Sequence, residues 1–136
     1  MLATSLPVQY QFIYGSDGPK MSTKPLSIDQ YVEDGDILTL GADTIEVIHC
    51  PGHTPGCIML HIPSCNSLMS GDTIFDDNIG RTDFPLSSKE DFLKSINEKD
   101  LPRDDFLKVY SGHYFNDFIL GNWKTWWNNM KPLLGF

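Results

Sequence analysis

Basic residues are scarce in this chain of 136 residues, where ten Lys and Arg stand against eighteen Asp and Glu for a formal net charge of −8. Phosphate backbones are bound by clustered cations, and none cluster here, so the balance argues against a nucleic-acid partner. The same acidity argues against an anionic membrane surface. Long apolar runs are missing too, and nothing approaches the roughly 20 residues that a membrane-spanning helix needs. The N-terminal stretch MLATSLPVQYQFIYGSDG has no basic segment leading into a long apolar one, so it does not read as a signal peptide. Cysteine is sparse. Cys50, Cys57 and Cys65 are odd in number and match no disulfide framework, which points to a reducing, cytoplasmic setting.

What is present suits a folded α/β protein. A hydrophobic fraction of 40% separates the chain from disordered sequences, and its length suits one domain over residues 1–136. Residues 1–30 are the least regular. YQFIY (10–14) has the composition of a short strand, and GSDGPKMSTKPLS (15–27) that of a solvated loop. Strand signals then become frequent. DILTL (36–40) and TIEVIH (44–49) flank Gly41-Ala42-Asp43, which reads as a three-residue hairpin loop. CIMLHIP (57–63) and SLMSG (67–71), separated by SCN, form a second expected hairpin. SSKEDFLKSINEK (87–99) reads as a helix with a Ser87–Glu90 capping box, Phe92, Leu93 and Ile96 on one face, and Pro102 beyond its end. LKVYSG (107–112) is a strand. NWKTWWNNMK (122–131), in the C-terminal segment 114–136, is a second helix whose Trp123, Trp126, Trp127 and Met130 form a core stripe. Strands followed by helix, strand and helix predict layered α/β packing.

The chain holds four histidines, His49, His53, His61 and His113. In HCPGHTPGC (49–57), two Pro-Gly pairs bracket His53. A histidine in such a turn is commonly no more than a polar loop residue. Rigid flanks, however, leave the ring little entropy to lose, which suits a metal ligand. Asp72 follows the apolar run LMS, where a carboxylate near the interior needs a cation or several donors. His113 follows VYSG in the same way. Three donors past strand ends can converge on one edge of a sheet, where α/β ligand sites form. Cys50, His53 and Cys57 also place three soft donors within eight residues, but the intervening Pro-Gly steps should turn them apart. His49 and His61 alternate with apolar neighbours and read as structural or exposed on a sheet face.

Taken together, TIEVIHCPGHTPGCIMLHIP, LMSGDTIF, NIGRTDFP and VYSGH resemble the metallo-β-lactamase superfamily over about residues 32–113. Within it they are most similar to the hydroxyacylglutathione hydrolase (glyoxalase II)-like branch. The resemblance implies a partial αβ/βα sandwich, mainly its C-terminal half, with a binuclear site that takes zinc, or alternatively iron or manganese. It implies His53 as a ligand of the first metal, Asp72 as the bridging carboxylate and His113 as a ligand of the second. The implied reaction is attack of metal-bound hydroxide on a small-molecule thioester, although lactonases and an iron-dependent persulfide dioxygenase share much of the signature. Arg81 and Asp83, in GRTDF, are a further hallmark, either pinning the loop over the site or meeting an anionic substrate.

The family's H-x-H-x-D-H ligand cluster has no counterpart, since no histidine precedes residue 49. Two protein ligands then remain for each metal, whereas a catalytic zinc keeps three. The C-terminal helical region that helps larger hydrolases bind glutathione is also unmatched. The expectation is an isolated chain that is inactive or severely impaired. One alternative is a truncated product or non-catalytic half-domain. Either reading predicts self-association or pairing with a complementary half-domain.

Overall fold

The structure is a computed structural model and describes residues 28–113 and 117–136. The strand expected at 10–14 and the loop at 15–27 lie outside the described residues. The strands are β1 (Ile37–Leu40), β2 (Asp43–His49), β3 (Ile58–Ile62), β4 (Ser67–Gly71), β5 (Ile74–Phe75), β6 (Asn78–Ile79), β7 (Lys108–Ser111) and β8 (Phe118–Ile119). Six of them form one sheet in the order β1-β2-β3-β4-β7-β8, while β5 and β6 pair separately. Every pairing is antiparallel except β4 with β7.

Local chemistry accounts for most of the turns. The first hairpin loop has two residues rather than three, because Asp43 pairs with Leu40 and joins the ladder. Asp favours turns, but its backbone groups pair like any other residue's. Gly41 opens the loop at φ 63°, the positive value that two-residue hairpins need. In the second hairpin Pro63–Cys65 form one 3₁₀ turn, and Asn66 closes it in the left-handed region at φ 48°.

The first helix, α1 (Lys89–Ser95), continues into a π-helical turn over Ile96–Asp100. Its cap is one residue later than the sequence suggested. Ser88, not Ser87, accepts the Asp91 amide at 3.1 Å, and Ser87 is engaged elsewhere. The second helix, α2 (Leu120–Met130), begins two residues before the expected start.

The core is the meeting of both helices with one face of the sheet. Phe92 of α1, Ile96 of the π-helical turn and Trp123 and Trp127 of α2 are buried with Ile48, Met59, Leu68 and Val109. The stripe read at residues 123–130 is therefore core, with Trp126 and Met130 only half-buried. Trp123 and Trp127 stack at 5.7 Å and 8°, and the Trp123 indole donates to the Asn78 carbonyl at 3.1 Å. That bond ties α2 to the small β5–β6 hairpin.

Strand direction gathers the candidate donors. β2 and β4 each run antiparallel to β3, and β7 runs parallel to β4, so β2, β4 and β7 point the same way. Their C-terminal ends share one edge of the sheet. His53, Asp72 and His113 all come just after those ends.

Candidate metal centre

The loop after β2 is clamped by α1. Three successive carbonyls each have a donor there. Pro51 accepts from the Ser95 hydroxyl at 2.8 Å, Gly52 from the Ser88 amide at 2.8 Å, and His53 from the Ser87 hydroxyl at 2.7 Å. Gly52 has φ 145°, and a Cβ there would run into the backbone and Cβ of Phe92. The Pro-Gly step thus lets the loop lie directly on the helix, with no room between them. Ser95 is buried, so Ser95→Ala leaves the Pro51 carbonyl without its donor. Urea unfolding of that variant is expected to show a loss of about 1 to 2 kcal/mol.

This clamp delivers the His53 ring in one orientation. Its Nδ1 lies 2.8 Å from the Arg81 carbonyl. A carbonyl can only accept, so Nδ1 donates and, in the neutral ring, the lone pair belongs to Nε2. That Nε2 lies 3.8 Å from Asp72 Oδ2. The ring edge also meets Phe84 at a centroid distance of 5.6 Å. A backbone partner on one imidazole nitrogen is the usual means by which proteins aim the other at a metal.

Asp72 leaves β4 through Gly71, at φ 53°. The His113 Nε2 lies 3.3 Å from the same Oδ2 atom, so one carboxylate oxygen faces both imidazoles. Two glycines make room for this. A Cβ at Gly80 would collide with the Asp72 carbonyl, and one at Gly112 would lie 2.5 Å from Asp72 Oδ1. The Gly112 amide donates to the Gly71 carbonyl at 2.7 Å, holding the ends of β7 and β4 together. His53 is 14% exposed and His113 68%, so the site has a closed side and an open one.

The donors fit a metal in type and spacing. Two ligands on one tetrahedral zinc, each about 2.0 to 2.1 Å from it, sit roughly 3.3 Å apart. The His113–Asp72 separation matches this and the His53–Asp72 separation is somewhat wider. The donors fall short in number. Among the described residues no group of three or more His, Cys, Asp or Glu could hold an ion. What exists is two donor pairs that share one oxygen.

The cysteines do not fill the gap. Cys50 is buried with its sulfur 3.2 Å from the Thr73 hydroxyl, and burial pushes its thiol up to about 12, away from the thiolate a metal requires. The Cys57 sulfur meets the Thr54 hydroxyl at 3.0 Å instead. His49 Nε2 pairs with the Pro55 carbonyl at 2.9 Å. His61 lies 3.0 Å from Glu46. Burial raises the Glu46 carboxyl, but hydrogen bonds from His61 and Arg103 outweigh it and hold the group below its ordinary value. Arg81 and Asp83 form a two-pronged pair at 2.9 and 2.8 Å, and the guanidinium lies 4.4 Å over the Phe84 ring. Both side chains are exposed, and the hydrogen bond from Arg81 holds the Asp83 carboxyl below its ordinary value. In the loop's geometry the Arg81 carbonyl has a direct part, as the acceptor that orients His53. Sequence reasoning missed that carbonyl and the three serine donors. Their roles depend on tertiary neighbours 28 to 44 residues away.

Comparison with known proteins gives a consistent picture. The sequence profile of the Metallo-beta-lactamase superfamily matches residues 6–113. Over 81 residues the chain is 40% identical to the hydroxyacylglutathione hydrolase GloC of Haemophilus influenzae, covering 60% of this chain and 38% of that protein. Among solved structures it is similar to the BLEG-1 B3 metallo-beta-lactamase, with a TM-score of 0.68 and 34% identity over 79% of this chain and 50% of that one. It is also similar to TTHA1623, solved in a di-iron-bound form, with a TM-score of 0.65 and 26% identity over 85% of this chain and 58% of that one. The chain spans well under half the length of the curated relative. No helix among the described residues is long and apolar enough to cross a membrane.

Proposed function

Because this chain belongs to the metallo-β-lactamase superfamily, we propose that it carries one side of a metallohydrolase centre acting on thioesters of the hydroxyacylglutathione type. His53, Asp72 and His113 would hold the metal, with Asp72 common to two ions. The observation that supports this is the single oxygen, Asp72 Oδ2, facing the Nε2 atoms of His53 and His113 while the Arg81 carbonyl occupies His53 Nδ1. Bound zinc would polarise the thioester carbonyl and lower the pKa of a coordinated water to about 7. The chain's own residues aim the His53 imidazole, through Ser87, Ser88, Ser95 and the Arg81 carbonyl, and keep space open around Asp72 through Gly80 and Gly112.

Two donors per ion is one too few for tight retention, so the isolated chain is read as a weak metal binder without turnover. Dialysis followed by metal analysis is expected to leave less than one zinc per chain, with no hydrolysis of a glutathione thioester. Asp72→Ala is expected to weaken zinc binding more than His53→Ala or His113→Ala, because only the carboxylate is shared. Equal zinc affinity in Asp72→Ala and the parent chain would remove Asp72 from the site.

A further inference from the structure

The cysteines at the two ends of the His53 loop face one another. The β2–β3 ladder pairs Ile48 with Met59 and His49 with Ile58, so the next pair along is Cys50 with Cys57. The Cys50 amide donates to the Cys57 carbonyl at 2.9 Å. Residues opposite each other at such a hydrogen-bonded position stand about 5.5 Å apart at Cα, within the span of about 4.4 to 6.8 Å that a disulfide bridges. Alternation along the strands puts both side chains on the face of Ile48 and Met59. Cys50 is fully buried in the core there, and Cys57, half-buried, packs against it.

Each thiol also touches a residue beside a candidate metal ligand. The Cys50 sulfur lies 3.2 Å from the hydroxyl of Thr73, next to Asp72. The Cys57 sulfur lies 3.0 Å from the hydroxyl of Thr54, next to His53. Cys65 is set apart from the pair, exposed beyond the opposite end of β3.

We propose that Cys50 and Cys57 are a thiol pair that a hydroperoxide oxidises to a disulfide, and that the disulfide loosens the metal centre. Cys57 reacts first, because Cys50 is closed to solvent and burial pushes its thiol up to about 12. The Cys57 sulfur attacks the outer peroxide oxygen and the O–O bond breaks. An alcohol, or water from hydrogen peroxide, leaves with the thiol proton, and a sulfenic acid remains. The Cys50 sulfur then attacks the Cys57 sulfur. The S–S bond forms, the S–O bond breaks, and the hydroxyl leaves as water with the Cys50 proton. The electron pair lost by the thiols is the one that reduces the peroxide. In the disulfide each sulfur has turned to the other without its proton, so Thr54 and Thr73 lose these contacts. The loosening rests on the metal reading above, whereas the bond itself rests on the strand pairing.

The test uses the full 136-residue chain carrying Cys65→Ser, so that only the pair can react. It is treated with hydrogen peroxide, unfolded, alkylated and weighed by mass spectrometry. The expected product is lighter by two hydrogens and takes up alkylating agent only after dithiothreitol. Adding Cys50→Ser should halt the reaction at a Cys57 sulfenic acid that dimedone captures, with circular dichroism confirming the fold. The mass measurement itself needs no core substitution. Zinc titration of the two forms is expected to show about 10-fold weaker binding after oxidation, as when groups supporting metal ligands are removed. A disulfide that leaves zinc affinity unchanged upholds the thiol pair and refutes the loosening. A disulfide in a chain that binds zinc in neither form upholds the pair and removes the metal reading. The inference is overturned if both thiols still alkylate after peroxide, if Cys57 passes to sulfinic acid beside an unreacted Cys50, or if the bond formed joins two chains.

Discussion

Gly52→Ala is expected to destabilise the chain by about 3 to 5 kcal/mol. Two penalties combine. The backbone at φ 145° is nearly closed to a residue with a Cβ, and the added methyl would press into the backbone of Phe92, in the buried middle of α1. Strain in such a region costs about 1 to 3 kcal/mol and overpacking costs a similar amount. Backbone cannot step aside as a flexible side chain can, so the loop and helix must separate. Gly41→Ala is the control. Its φ of 63° is also positive, but nothing lies within 4 Å of its Cβ position, and about 1 to 2 kcal/mol is expected. Urea melts of the two variants should differ in midpoint accordingly. Equal losses would show that backbone conformation alone governs the Gly52 position.

The second large effect concerns Asp100, at the end of the π-helical turn. The residue is fully buried, and among the described residues neither carboxyl oxygen has a hydrogen-bond partner. Burial raises its pKa to about 7, against a partial lowering by the charges of Arg103 and Lys124. The folded value is therefore above the unfolded one. Protonated Asp100 favours the fold below about pH 4, and that advantage is lost as pH rises towards 7, after which the dependence is flat. A shift of this size corresponds to roughly 4 kcal/mol across the window. Asp100→Asn should abolish that slope. Urea unfolding at several pH values between about 4 and 8 is expected to show the variant gaining on the parent chain as pH rises. Any cost from the buried amide enters equally at every pH and leaves the difference in slope intact. Parallel curves for the two proteins would refute the buried-acid account.

How much of this was legible in sequence depended on the range of the interactions involved. Period-two patterning located β1 to β4 and β7 to within a residue or two, because each strand's apolar face is a local property. That His53, Asp72 and His113 lie together could be anticipated for the same reason, since each is a polar residue placed just past an apolar run. The cap of α1 was misplaced by one residue because Ser87 and Ser88 are locally equivalent. Only the tertiary structure separates them, giving Ser88 to the helix and Ser87 to the His53 carbonyl. The two-residue strands β5, β6 and β8 were missed because they are too short for any period to emerge. Asp100 carries no signal at all, since an aspartate in NEKDLPRDD looks like a solvated charge until the packing is known.

The parallel pairing of β4 with β7 bears on the order in which the site comes together. Strands β1 to β4 are successive neighbours, so their contacts close short loops and can form early in folding. β4 meets β7 only after residues 72–107 have looped out and returned, and the entropy of closing that loop must be overcome before any contact rewards it. His53 and Asp72 are thus brought near one another by the early meander, while His113 joins them in a late step of assembly.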